Sequence, residues 1–62
     1  MTSSPPTDVG QRIRLLRERR RLSIRSLSER CGLSPAAISQ IERGENSPTV
    51  SSLHQLATAL GV

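Results

Sequence analysis

Sixty-two residues can build one small domain and nothing larger. Fifteen of them are Leu, Ile or Val, so a core can form, but one too small to be hollowed into a catalytic cleft. The formal net charge is +4, every basic residue is an arginine, and Phe, Tyr and Trp are absent, which excludes stacking of bases on aromatic side chains.

Other classes fall away as well. No apolar run is long enough to span a membrane. The polar start MTSSPP lacks the apolar region of a signal peptide. Cys31, alone, cannot close an internal disulfide, which fits a reducing compartment and a cytoplasmic location. The charge is uneven. Residues 9–30 hold eight Arg against two Glu, whereas residues 31–62 hold Arg43 against Glu42 and Glu45. A basic block beside a near-neutral one suits a polyanion partner, or else a solvated arginine-rich surface.

In chain order, residues 1–7 read as a disordered tail with Pro5-Pro6 extended, and residues 8–62 as the domain. Thr7 is placed to cap a first helix at about 8–20, with Asp8 in its first turn and Val9, Ile13 and Leu16 on one stripe. Ser23 caps a second, at about 24–31, with Ile24, Leu27, Ser28 and Cys31 inward and Gly32 as its stop. Leu33 returns to the core. Ser34-Pro35 opens a third helix, at about 35–43, with Ile38 and Ile41 buried and Gly44 as its stop. After a polar loop, Thr49 caps a fourth, at about 50–60, with Val50, Leu53, Leu56, Ala57 and Leu60 as its stripe and Gly61 as its end. No period-two stretch argues for a strand. The fold class is therefore all-α, a compact bundle of four short helices.

Helices two and three are joined by only Gly32-Leu33-Ser34, so they must cross steeply rather than lie antiparallel. Such a bend needs a residue without a β-carbon (Gly32), apolar facing sides (Leu27, Cys31, Leu33, Ile38, Ile41) and a small residue at the close approach (Ser28).

With these residues in place, the chain resembles the Cro/C1-type, or Xre, helix-turn-helix family. The matching stretches are Ile13-Arg14-x-Leu16-Arg17, Leu22-Ser23, Leu27-Ser28-Glu29, Cys31-Gly32-Leu33-Ser34, Ile38-Ser39-Gln40-Ile41-Glu42-Arg43-Gly44, Ser47-Pro48-Thr49 and Leu53-x-x-Leu56-Ala57-x-x-Leu60-Gly61-Val62. They cover about residues 9–62. Two departures stand out. Ser28 replaces the usual Ala, which asks for a backbone acceptor for its hydroxyl. The sequence also stops at Val62, where the family's fifth helix would begin. The implied fold is lambda-repressor-like without that helix. The stretch ISQIERGENSPTVSSL most resembles the subgroup in which this module precedes a cupin sensor domain, which implies a further domain beyond residue 62.

The resemblance also implies roles. The third helix would enter the major groove of double-stranded DNA with Pro35, Ala36, Ser39 and Gln40 at the bases. Gln40 would pair with adenine, while Pro35 and Ala36 would touch thymine methyl groups. Phosphates would be held by Arg25, Ser34, Arg43, Asn46, Ser47 and Thr49. Ile24 stands where the family often carries Gln, so that phosphate contact is missing. Arg17 and Glu42 would form a structural ion pair; the alternative is two exposed charges. For Arg19-Arg20-Arg21, three placements remain open: solvent, the DNA backbone, or another domain. The implied assembly is a homodimer of the full-length protein on a pseudo-palindromic operator.

Cys31 reads as a small core residue rather than a redox sensor. His54 has no clustered second ligand, so no metal site is expected. No nucleophile–base set, paired carboxylates or glycine-rich phosphate loop appears, so neither an enzyme nor a cofactor is expected. The alternative function is an antitoxin-type protein-interaction module that masks a toxin and autoregulates its operon. A third is nonspecific polyanion binding through the arginines.

Overall fold

Local sequence signals set the helix boundaries. The computed structural model describes residues 8–62 and contains α1 (Asp8–Arg19), α2 (Ile24–Cys31), α3 (Pro35–Glu42) and α4 (Val50–Leu60). The tail expected at 1–7, with its Thr7 cap, lies outside the described residues. Three caps begin three helices. Ser23 Oγ accepts the Ser26 N–H at 2.9 Å, Ser34 Oγ the Ala37 N–H at 3.1 Å, and Thr49 Oγ1 the Ser52 N–H at 3.0 Å. Pro35 occupies the start of α3, where its missing N–H costs nothing.

Helix ends are equally local. Gly32 takes the left-handed conformation (φ 83°) and its N–H donates to the Ser28 carbonyl at 2.9 Å, closing α2. The end of α1 also has a left-handed residue, but with a different hydrogen-bond pattern and without a glycine. Arg21 sits at φ 55°, its N–H donates to Glu18 O at 2.9 Å, and the Leu22 N–H donates to Arg17 O at 3.0 Å. Both α1 and α3 end one residue earlier than the expected ranges, at Arg19 and Glu42.

All four helices feed one core: Ile13 from α1, Leu27 and Cys31 from α2, Ile38 and Ile41 from α3, and Leu56 and Leu60 from α4. Leu16, Leu22, Ile24, Leu33 and Ala59 pack around it. At about 1.5–3 kcal/mol per large side chain buried, no pair of helices would be stable alone. Ser28 is half-buried, and no buried side-chain nitrogen or oxygen among the described residues lacks a partner.

Three stripe residues depart from expectation. Val50 is 88% exposed, because it opens α4 outside the core. Val9 and Leu53 are also exposed. They border an apolar groove of about 360 Å³ between α1 and α4, lined also by Ile13, Leu16, Leu56, Leu60 and Val62. The stripes are therefore wider than the core they serve.

Gly10 has a role that the stripe pattern conceals. It is buried in α1, and a β-carbon there would collide with the Ile41 carbonyl and press on that of Glu42. The glycine lets the α1 backbone approach the end of α3 closely. At the other end of α1, the Arg20 guanidinium lies against Gly61, at the carbonyl end of α4, where the helix dipole favours a cation.

Candidate nucleic-acid interface

The turn at Gly32 directs α3 so that Ile38 and Ile41 meet Leu27 and Cys31 in the core. Helical spacing then puts Pro35, Ala36, Ser39, Gln40 and Arg43 on the other side. Pro35, Ala36 and Arg43 are exposed, and Ser39 and Gln40 are half-exposed. This face combines two short apolar side chains with a hydroxyl, an amide and a guanidinium.

Its polar members are already engaged with one another. The Arg43 guanidinium donates to both carboxylate oxygens of Glu45, at 3.0 and 3.1 Å, and to Ser39 Oγ. The bond to Glu45 raises the Arg43 pKa above its ordinary value and lowers that of Glu45. Asn46 Nδ2 donates to Gln40 Oε1 at 2.7 Å. The chain reverses at Gly44 (φ 77°), so that the Glu45 N–H reaches the Gln40 carbonyl at 2.9 Å.

The remaining candidate anchors lie nearby in sequence. Ser34 and Thr49 use their hydroxyls as helix caps, while Arg25 and Ser47 are exposed. Among the described residues, Arg25, Ser47 and Thr49 exchange no hydrogen bond with the α3 face. The three arginines at the end of α1 are exposed, Arg20 resting on α4.

Beneath the face, Arg17 Nε and Nη2 donate to Glu42 Oε2 and Oε1 at 2.7 and 3.0 Å. Arg17 Nη1 donates to the Leu22 carbonyl at 2.9 Å. The two side chains are only 12% and 6% exposed. The hydrogen bond to Glu42 raises the Arg17 pKa, outweighing the opposite pull of burial. The pair ties the end of α3 to α1 and to the α1–α2 turn.

Sequence reasoning did not single out Gly10, Glu45 or the Asn46–Gln40 contact. A glycine inside a helical pattern is the available signal for the first, and the i, i+2 spacing from Arg43 for the second. The third has no local signature. Elsewhere, Cys31 is buried, and His54 lines a shallow hollow with Arg30, Gln55 and Thr58. Among the described residues, no group of three or more His, Cys, Asp or Glu side chains stands close enough to hold a metal, and no helix is long and apolar enough to cross a membrane.

Two short helices crossing at a glycine turn, the second with its outer side clear of the core, define a helix-turn-helix protein. The chain belongs to the helix-turn-helix domain family, whose model matches residues 8–62. It is 46% identical over 50 residues to the HTH-type transcriptional regulator SutR of Escherichia coli K12, covering 81% of this chain and 28% of that protein. It is 41% identical over 54 residues to the immunity repressor protein of Bacillus phage phi105, covering 87% of this chain and 38% of the repressor. An uncharacterized HTH-type transcriptional regulator of Sinorhizobium fredii, y4dJ, is 41% identical over 54 residues, 87% of this chain and 70% of that protein. The chain thus spans well under half of the first two relatives. No solved structure matches it. These likenesses agree with the Cro/C1-type resemblance, and the domain is of the kind carried by DNA-binding transcriptional regulators.

Proposed function

We propose that this domain binds double-stranded DNA sequence-specifically within a bacterial, cytoplasmic transcriptional regulator, with α3 reading the major groove. The observation that carries the reading is the division of α3. Ile38 and Ile41 are committed to the core, while Pro35, Ala36, Ser39 and Gln40 stand away from it. In that docking mode the Gln40 amide pairs with adenine, Ser39 contributes a hydroxyl, and Pro35 and Ala36 meet thymine methyl groups. Arg25, Ser34, Arg43, Ser47 and Thr49 anchor phosphates around the ends of α2, α3 and α4. The Asn46 amide also lies at this edge but is turned toward Gln40. The relatives' names support regulation as the role. Two copies of the whole protein would occupy a pseudo-palindromic operator, with a sensor domain following the module.

Selection of binding sites from a pool of random duplexes tests this reading. The protein should enrich a two-fold repeated sequence, and Gln40→Ala should lose that site while keeping its affinity for random duplex. Failure to enrich any sequence, or equal losses on both duplexes, would refute base reading. Enrichment of nothing together with tight capture of a partner protein would favour the antitoxin alternative.

A further inference from the structure

We propose that the groove between α1 and α4 docks an amphipathic helix of a partner protein, one whose apolar stripe is flanked by Asp or Glu. The proposal goes beyond DNA binding and does not depend on it. Among the described residues, five large apolar side chains are exposed, and four of them (Val9, Leu15, Leu53 and Val62) stand on this side. Val9, Leu53 and Val62 line the groove of about 360 Å³, and Leu15 and Val62 a hollow of about 700 Å³ beside it, with Arg12 and Leu16 common to both. A contiguous apolar patch rimmed by polar groups marks a contact surface, where single scattered apolar residues would not.

Shape and charge specify the occupant. The groove runs from Val9 to Leu16 on α1 and from Leu53 to Leu60 on α4. Seven residues at about 1.5 Å each make a trench of about 10 Å. That matches the i to i+7 reach of an apolar stripe on a two-turn helix. Both walls are helices, whose backbone groups bond within the helix, so the groove offers no edge to a β-strand. A docking segment must satisfy its own backbone, as a helix does. The charge lies on one wall only. Arg12 lines the groove, Arg12 and Arg19 line the adjoining hollow, and among the described residues no Asp or Glu lines either. The carboxylates of Glu18 and Glu42 pair elsewhere, with Arg14 and Arg17. A second copy laid face to face would bring the same acid-free lining and bury Arg12 without a counter-charge, which is costly. A helix with Asp or Glu along the α1 side of its stripe supplies both the apolar side chains and the missing charge.

The test uses the 62-residue chain and two synthetic helical peptides of about 18 residues. Both carry the same Leu stripe at i, i+3, i+4 and i+7 spacing; one has Glu beside the stripe and the other Lys. In methyl and amide NMR titrations, the Glu peptide should shift Leu16, Leu53 and Leu60 saturably. It should bind roughly 10-fold tighter than the Lys peptide, the scale of two surface ion pairs, and added salt should shrink that difference. Leu53→Ser, at an exposed position, should weaken both peptides. Arg12→Glu with Arg19→Glu, also at exposed positions, should turn the preference toward the Lys peptide while the core amide resonances stay in place. Binding of neither peptide, equal affinity for both, or an unreversed preference in the double variant overturns the proposal. Shifts confined to α3 and Arg25 overturn it too, because the Glu peptide would then be mimicking DNA phosphates. So do Leu53 shifts that grow with protein concentration in the absence of peptide, which would make the occupant a second copy.

Discussion

Arg17 grips Glu42 through two hydrogen bonds of 2.7 and 3.0 Å across 25 residues of sequence, with both side chains almost out of solvent. A third guanidinium nitrogen holds the Leu22 carbonyl. One side chain thus fixes the end of α3 against α1 and against the turn that leads into α2.

Glu42→Ala would leave the Arg17 charge buried without its partner. Removing one member of a fully buried pair costs about 3–5 kcal/mol, which is an upper bound for this part-buried one. A domain of this size has about 3–9 kcal/mol in total. Thermal melting followed by circular dichroism should show a clearly lower melting temperature for Glu42→Ala. Replacing both residues, as Arg17→Met with Glu42→Leu, should recover most of the loss. An unchanged melting temperature in Glu42→Ala would show that the bridge holds nothing.

Gly10→Ala sets two effects against each other. Alanine is favoured over glycine in a helix by about 1 kcal/mol. The added methyl, however, meets the backbone carbonyl of Ile41, which cannot rotate away. Forcing an extra methyl group into a packed contact costs about 1–3 kcal/mol. The net change should be destabilising, read as a lower urea midpoint. A gain in stability would mean that α1 and α3 do not approach as described.

Arg21→Gly should stabilise the domain. Arg21 holds φ 55°, a region that costs most side chains about 1 kcal/mol or more and glycine nothing. At about 4–8 °C per kcal/mol for so small a domain, the rise in melting temperature is readily measured. The residue is exposed, so no packing is lost.

If α3 docks on DNA as proposed, Glu45 opposes that docking at neutral pH. The hydrogen bond from Arg43 holds its carboxyl below the ordinary carboxylate range. A depressed folded-state value means that the pair stabilises the fold above the unfolded value and loses that effect as pH falls through the folded one. At pH 7 the carboxylate is therefore charged, and in the proposed docking it would compete with phosphate for Arg43. Glu45→Gln should tighten binding to selected and random duplexes by similar factors in anisotropy titrations. Tightening on the selected site alone would point to a base contact instead.

Salt provides the remaining check. If arginines displace condensed counterions, log K falls linearly with log salt, and Arg25→Ala should make the slope shallower by about 1 while lowering affinity uniformly across sequences. A flat titration for the wild type would remove the electrostatic part of the proposed function.

The positions of the helices were legible because their signals are short-range. Ser23, Ser34-Pro35 and Thr49 cap through residues three positions on, and Gly32, Gly44 and Gly61 each take the left-handed conformation past a helix end. The α1 stop at Arg21 was hidden because an arginine adopts glycine's conformation there. Stripes were less reliable guides to burial. Val9, Val50 and Leu53 have the right spacing, yet all three are exposed, since periodicity names a side of a helix and not what covers it. The α3 face was readable residue by residue, but its internal bonds from Glu45 to Arg43 and from Asn46 to Gln40 were not.

From the amino acids alone came the four helices, the bend at Gly32, and the separation of an apolar side of α3 from a polar one. Those depend on dihedral preferences and on groups three or four residues apart, which any reader of the chain can count. How closely α1 approaches α3 at Gly10, how deeply the Arg17–Glu42 pair is buried, and that the Asn46 side chain meets that of Gln40 were decided only by packing. Each depends on groups that are distant in the chain or separated by a loop, and only the folded backbone brings them within bonding distance.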